Sequence, residues 1–172
     1  MNVKKIHNRV LSKVGDDIST DDIIQAKYMT STEPEALGKI CLRDHVPEFH
    51  KKMGNGGFLV AGKNFGCGSS REMAAVALKA AGVQAILAEG FARIFYRNSL
   101  NICLPVIECE GVRTAIDLED ELEIDLSSGS IENITRHTFL QGIPIPSFLL
   151  DMMDAGGLVA FLKQRLAGKR EH

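Results

Sequence analysis

Short apolar runs alternate with helical patterns through the middle of the chain. The apolar runs cover 58–61, 83–88 and 104–108, and the helical patterns between them cover 70–81 and 91–100. Runs this short and this apolar are typical of strands buried in a parallel sheet. Their order is βαβαβ, for which right-handed crossovers are expected. This stretch therefore predicts a parallel-sheet core.

The pattern changes on either side of this core. A strand is predicted over 7–14. Beyond Gly111, apolar positions alternate over 122–126, a Ser/Gly turn follows, and 131–139 returns as the second strand of a β-hairpin, with His137 in that strand. We predict one α/β domain over residues 1–172, with a central parallel sheet, a smaller antiparallel sheet and covering helices.

The covering helices are indicated by local start and stop signals. Thr32-x-x-Glu35 has the pattern of a capping box, and Pro34 suits a first helical turn, so a helix is predicted to about Arg43. A short helix is predicted from Pro47 through Met53. The segment 148–166 is predicted to be helical, with a break at the glycine pair 156–157.

Composition excludes several classes of function. The net charge is −2 and the isoelectric point is near 6.2, so nucleic acid and acidic membranes are not expected partners. No stretch approaches the length of a membrane span and residues 1–10 are too polar for a signal segment, which predicts a cytoplasmic protein unless an import segment is missing. The cysteines, at 41, 67, 103 and 109, form no Cys-x-x-Cys pair, so no metal site is expected. The basic tail, Lys169-Arg170, is expected to be solvated.

The candidate chemistry lies in residues 62–72, Gly-Lys-Asn-Phe-Gly-Cys-Gly-Ser-Ser-Arg-Glu, between the first core strand and its helix. In open α/β sheets, ligands bind at this place. Ser69 and Ser70 are predicted at the helix N-terminus, which favours an anion, and Arg71 adds a planar cationic fork. A plain capping box, Ser69-x-x-Glu72, is the simpler alternative, but a cap needs only one serine.

Several common motifs are excluded. The segment lacks the lysine of a phosphate loop, the third glycine of a dinucleotide fingerprint and the Gly-x-Ser-x-Gly of a hydrolase elbow. What remains is a hydroxyl beside an arginine, where a serine can lose its proton. A thiol near a helix N-terminus can be reactive, but we expect Cys67 to line the wall of the site.

Three segments together resemble the swivel domain of the aconitase superfamily. They are Gly-Ser-Ser-Arg-Glu (68–72), Thr-Asp-Asp-Ile-Ile (20–24) and Phe-Ala-Arg-Ile (91–94). The chain is most similar to the separate small subunits of isopropylmalate dehydratase and homoaconitase, from about Val10 through the C-terminal helix. The resemblance implies a swivelling β/β/α fold and a hydro-lyase subunit that is active only with a large subunit. That partner would carry a four-iron–four-sulfur cluster, and the substrate would be a substituted malate.

The resemblance also assigns roles. It places Ser69 as the catalytic base and Asp21 in the active site, with Ser70 and Arg71 binding the substrate carboxylate. The loop of Tyr28, Met29, Thr30 and Ser31 would select the substrate's side group. The supporting positions are Gly62, Asn64, Gly66, Cys67, Gly68, Thr20 and Arg93. Arg93 serves either the site or the partner interface, and Arg97 is expected in an ion pair with Glu89. Family members commonly carry His where this chain has Met73.

The loop after Tyr28 contains no arginine, so a third carboxylate would be buried unpaired there, which is costly. We therefore predict an apolar substituent: isopropylmalate first, dimethylmalate second, homoaconitate third. Arg43 would change this order if it folded back against the loop. An anion- or phosphate-binding module without catalysis is the alternative of another class. RNA binding, known for some aconitase relatives, is disfavoured by the acidic isoelectric point.

Overall fold

The computed structural model describes residues 5–168. Within them the chain forms seven strands and eight α-helices. In chain order these are β1 (Lys5–Lys13), α1 (Thr20–Ile23), α2 (Pro34–Ile40), α3 (Phe49–Met53), β2 (Gly57–Ala61), α4 (Glu72–Ala80), β3 (Val83–Ala88), α5 (Arg93–Asn101), β4 (Val106–Glu108), α6 (Val112–Ala115), β5 (Glu121–Asp125), β6 (Ser130–Asn133), β7 (Thr138–Gln141), α7 (Ser147–Asp154) and α8 (Leu158–Gly168). A 3-10 turn, Ala26–Tyr28, precedes α2.

All seven strands belong to one sheet, in the order β4-β3-β2-β1-β5-β6-β7. The strands β1 to β4 run parallel to one another, and β5 to β7 continue the sheet antiparallel. Every residue of β2 is buried, as are all those of β3 except Gln84. The predicted fold class is confirmed, and the apolar runs are the buried parallel strands.

Strand β1 joins the two halves of the sheet. Its first residues, Lys5–Arg9, pair antiparallel with β5, whereas Val10, Ser12 and Lys13 pair parallel with β2. The register shifts between Val10 and Ser12, so the strand changes partner near an irregularity. The parallel and antiparallel parts are therefore fixed to each other by a single continuous strand.

The predicted hairpin is a three-stranded meander. The stretch 131–139 is interrupted by a turn over 134–137, so β6 and β7 pair with each other. Asn133 Oδ1 accepts from Arg136 N at 3.1 Å, and Arg136 pairs with Asp120 at 2.9 Å. The strand assignment of His137 was wrong, because this residue closes the turn with φ +54°.

The bounds and the N-terminal cap of α2 differ from those predicted from the sequence. Helix α2 ends at Ile40 rather than near Arg43, and its N-cap is Glu33 without a side-chain cap bond. Ser31 Oγ accepts from Glu33 N at 3.1 Å instead, so the capping box predicted from Thr32 does not form.

The predicted tail residues Lys169 and Arg170 lie outside the described residues.

Candidate active site

Three loops meet at the carboxyl ends of β1, β2 and β3. The loop after β2 pairs on one side with the loop after β1, through a bridge between Ser19 and Cys67. On the other side a bridge joins Phe65 and Phe91, which follows β3. Thr20 N donates to Cys67 O at 2.8 Å. The glycine-rich segment is thus fixed from both sides at the edge where ligands bind in such sheets.

Acidic side chains hold the start of this segment. Asp16 Oδ1 accepts from Lys63 N at 2.9 Å, and Asp17 Oδ1 accepts from Asn64 Nδ2 at 2.8 Å. Gly62 donates from its N–H to Gly15 O and accepts from Glu89 N, both at 3.1 Å. Both carboxylates therefore bind the segment 62–64, although an acidic run such as 16–17 would ordinarily be read from the sequence as a solvated loop.

The middle of the segment packs on aromatic rings. Gly66 has φ +79°, and a Cβ there would lie 2.2 Å from Cγ of Phe95. The Phe65 ring lies edge-on to Phe95 at 5.3 Å and to Phe91 at 6.1 Å. Gly68, with φ +93°, precedes the serines and makes no such close contact. The predicted supporting role of these glycines thus has a steric basis at Gly66 and a conformational one at Gly68.

The serines lie before the helix rather than at its first turn. Helix α4 begins at Glu72 with Arg71 as N-cap, and no side chain caps it, so the alternative of a capping box at Ser69 does not form. The Ser69 hydroxyl lies 3.1 Å from Thr20 Oγ1, which also lies 3.1 Å from Ser69 O. Arg71 N donates to Ser69 O at 2.8 Å, which turns the chain at Ser70. Both serines are exposed, whereas Thr20 is buried.

Arg71 is held by the loop after β1. Its Nη1 forms an ion pair with Oδ1 of Asp21 and lies 3.3 Å from Ile24 O. The Asp21 side chain is 63% exposed and that of Arg71 is 33% exposed, so the pair faces outward at the edge of the site. The structure therefore brings together Ser69, Thr20, Arg71 and Asp21, which sequence reasoning had selected separately.

A second acidic group, Asp22, follows Asp21 in the chain and holds the start of α1. Asp22 closes a capping box with Ser19 at the start of α1. Its Oδ1 lies 2.9 Å from Nε2 of His45. Burial acts to raise the pKa of Asp22, but hydrogen bonds with Ser19 and His45 outweigh burial and hold that pKa below its ordinary value. Sequence reasoning missed this group, although Ser19-x-x-Asp22 has the spacing of a cap.

The loop predicted to choose the substrate is closed by Asp44. This carboxylate accepts from the Tyr28 hydroxyl at 3.0 Å and pairs with Lys27 at 3.0 Å. The Arg43 guanidinium lies 4.6 Å above the centroid of the Tyr28 ring. Met29 packs against the core, and Thr30 and Ser31 lie at the surface end of the loop. Arg43 has thus folded back, and the argument from an arginine-free loop loses its premise.

A pocket of about 280 Å³ opens beside the aromatic rings. It is lined by Phe91, Arg93, Tyr96, Arg97, Glu108 and Ile143. Within residues 5–168 neither arginine side chain has a hydrogen bond or an ion pair, so the expected pairing of Arg97 with Glu89 was wrong. Arg93 lies at the start of α5 and does not contact Ser69 or Arg71 through any ion pair or hydrogen bond of the described chain.

The cysteines do not form a metal site within the described chain. No three His, Cys, Asp or Glu side chains of residues 5–168 are grouped so that they could hold a metal ion. Burial raises the pKa of the Cys41 and Cys109 thiols. Cys67 lies at the wall of the glycine segment with Sγ 3.6 Å from Asp17 O. These residues therefore do not fit an iron–sulfur cluster.

Across 5–168, every helix is too short or too polar to cross a membrane.

Comparison with known proteins shows the family of this chain. The family model described as "Aconitase C-terminal domain" matches residues 6–110. The chain is 45% identical to the isopropylmalate/citramalate isomerase small subunit of Methanocaldococcus jannaschii, over 90% of this chain and 92% of that one. It is 49% identical to the 3-isopropylmalate dehydratase small subunit of Caldicellulosiruptor bescii, over 90% of this chain and 93% of that one.

A solved structure gives the same result. The crystal structure of 3-isopropylmalate dehydratase from Methanocaldococcus jannaschii superposes with a TM-score of 0.88 at 38% identity, covering 98% of this chain and 99% of that one. The range matched by the family model, 6–110, includes all three loops that meet at the carboxyl ends of β1, β2 and β3. The chain therefore belongs to the aconitase C-terminal domain family, among the small subunits of the 3-isopropylmalate dehydratase type.

Proposed function

We propose that this chain is the small subunit of a hydro-lyase that isomerises or dehydrates a substituted malate, as the names of its relatives suggest. The observation that carries the proposal is the contact of the Ser69 hydroxyl with Thr20, beside the Arg71–Asp21 ion pair, at the open edge of the sheet. These groups form a hydroxyl and a cation presented together to a ligand.

The reaction needs a base and a carboxylate-binding group. Removing a proton from the carbon beside a carboxylate builds negative charge, which a cation and hydrogen-bond donors must stabilise. Ser69 acts as the base, and each unit by which its pKa is lowered requires about 1.4 kcal/mol of preferential interaction with the alkoxide. Thr20 supplies part of that interaction when its hydroxyl donates to Ser69 Oγ.

Arg71 and Ser70 bind the substrate carboxylate. The guanidinium has five N–H donors, and the contacts with Asp21 and Ile24 both involve Nη1, so the rest of the fork remains for a ligand. Asp21 orients this fork. This ion pair gives Asp21 its place in the proposed catalytic set.

The iron–sulfur cluster that assists departure of hydroxide is assigned to the large subunit, since no side chains of residues 5–168 are grouped to hold it. We propose that the working complex is a heteromer of the two subunits and that it acts in the cytoplasm. Isopropylmalate stays first and dimethylmalate remains a candidate, but Arg43 over Tyr28 removes the ground for ranking homoaconitate last. The first position follows from the relatives' names, and it would place the enzyme in leucine biosynthesis. Arg43 is the side chain that would bind a third carboxylate, such as that of homoaconitate.

A simple anion-binding module is the weaker reading. The named relatives are small subunits of a dehydratase and an isomerase, which favours the hydro-lyase over a phosphate-binding module. Calorimetry with phosphate and with dicarboxylates distinguishes the two. Tight phosphate binding by the isolated chain would favour the module.

The main test is the activity of the chain alone and with its co-expressed large subunit. We expect turnover of isopropylmalate only in the complex, and full activity of the isolated chain would contradict the proposal. In the complex, Ser69→Ala should abolish turnover and leave assembly intact, because it deletes the base and little packing. The matched control is Ser128→Ala in the exposed turn between β5 and β6. If Ser69→Ala kept a tenth of the activity, the base would be Ser70 or Asp21.

A further inference from the structure

Two arginines on α5 lack partners among the described residues. Arg93 and Arg97 lie one helical turn apart, both are exposed, and both line the pocket beside Phe91. Within residues 5–168 neither forms an ion pair or a side-chain hydrogen bond. An exposed cation is ordinary by itself, but two such cations at the mouth of one pocket produce a local positive field.

The pocket opens on the same edge of the sheet as the candidate site. Phe91 follows β3 by three residues, and Glu108 is the last residue of β4. The Phe91 ring contacts Phe65 of the glycine segment with centroids 6.1 Å apart. A partner protein that covers the site across this edge therefore also contacts the pocket.

The lining resembles the centre of a protein interface. Ile143 is 58% exposed and Ile94, beside Arg93, is 53% exposed, so apolar surface adjoins the cations. Tyr96 and Phe91 add half-buried rings, and aromatic residues with arginine are enriched in interface centres. Glu108 is the one acidic group that lines the pocket, and its Oε1 accepts from Phe91 N at 3.2 Å.

We propose that this pocket docks an acidic segment of the large subunit, with Asp or Glu side chains on Arg93 and Arg97 and an apolar side chain against Phe91 and Ile143. The inference rests on the proposed function, since the cluster-bearing subunit must cover the site edge. Burying two arginines without carboxylates would be costly, so the covering surface has to be acidic. A second copy of this chain would instead cover the candidate site with another small subunit and leave no access for the cluster.

The experiment compares assembly of purified variants with the large subunit, by sedimentation or surface-based binding. The double reversal R93E/R97E should weaken the dissociation constant at least 100-fold, because attraction becomes repulsion. R93K/R97K keeps the charge but not the planar fork and should fall between, about tenfold weaker. The matched control is R9E, an exposed β1 arginine that also lacks a side-chain partner within the described chain. It should assemble within threefold of wild type.

The outcomes separate the inference from the proposed function. If the wild-type chain did not bind the large subunit, the proposed function itself would fail. If the wild type bound and R93E/R97E bound within threefold of it, only the docking inference would be overturned. Equal weakening by R9E would mean a diffuse charge effect, which also overturns it. So would normal assembly with lost turnover, because the arginines would then serve the substrate. Circular dichroism of each variant confirms that the fold is kept.

Discussion

Replacing Gly66 by alanine should be far more damaging than the same change at Gly68 or Gly90. At Gly66 two penalties coincide: φ is +79°, and the new Cβ would lie 2.2 Å from Cγ and 2.5 Å from Cβ of Phe95. Those atoms are close to the helix backbone, and Phe95 is itself buried between Phe65 and Phe91. The ring therefore cannot turn away without repacking its neighbours.

The magnitude follows from adding the two penalties. A left-handed backbone costs a residue with a Cβ about 1–2 kcal/mol, and forced overpacking of a core costs about 1–3 kcal/mol. Gly66→Ala should thus lower the free energy of unfolding by about 2–5 kcal/mol. Gly68→Ala should cost only about 1–2 kcal/mol, because φ is +93° but its nearest atom, Thr20 Oγ1, is 3.5 Å away. Gly90→Ala meets only Asn64 N at 3.7 Å, without a left-handed φ, so its change should stay within about 1 kcal/mol.

Urea unfolding followed by circular dichroism measures all three variants on the same scale. The expected order of destabilisation is Gly66, then Gly68, then Gly90. If Gly66→Ala and Gly68→Ala lost the same stability, the contact with Phe95 would have no energetic weight. The reasoning about close packing under the glycine segment would then be refuted.

Two further predictions concern pH and substrate. Burial acts to raise the pKa of Asp120, but the backbone of Asp117, the Asn133 amide and Arg136 hold that pKa below its ordinary value. This carboxylate therefore stabilises the fold above about pH 4, and that stability is lost as the pH falls further. The free energy of unfolding, measured from pH 7 down to pH 3, should fall less steeply in Asp120→Asn than in wild type, and parallel curves would contradict this. Arg43→Ala removes one of the two cations over Tyr28 and leaves Lys27, which is already paired with Asp44. In the reconstituted complex it should leave kcat/KM for isopropylmalate within about threefold and lower any activity on homoaconitate at least tenfold. An equal loss on both substrates would mean that Arg43 only supports the loop.

The parallel core could be predicted because burial of a strand on both faces imposes a local signature. β2 and β3 read as apolar runs, and glycines and helical patterns separate them, so each element was visible within a window of ten residues. The split between β6 and β7 was not visible in this way. It depends on Arg136 reaching Asp120, 16 residues away, which no local pattern encodes.

The candidate site was predictable in its membership but not in its geometry. Ser69-x-x-Glu72 has the spacing of a cap, yet the Ser69 hydroxyl meets Thr20, 49 residues earlier in the chain, and the helix begins without it. The same limit applies to Asp16, whose carboxylate binds a backbone N–H 47 residues away. Arg43 could be named from the sequence as a side chain that might reach the loop, but only the fold shows it over Tyr28.

The shared strand β1 also sets the order in which a growing chain can complete this sheet. β1 and β2 can pair once residues up to Ala61 have left the ribosome, but the β5 partner of Lys5–Arg9 ends only at Asp125. Throughout the synthesis in between, the outer side of β1 is an unpaired edge, which is open to wrong pairing with other chains. A ribosome that stalls between these points therefore holds an incomplete sheet with one aggregation-prone edge strand. The antiparallel meander of β5 to β7 is the part of the protein that covers this edge.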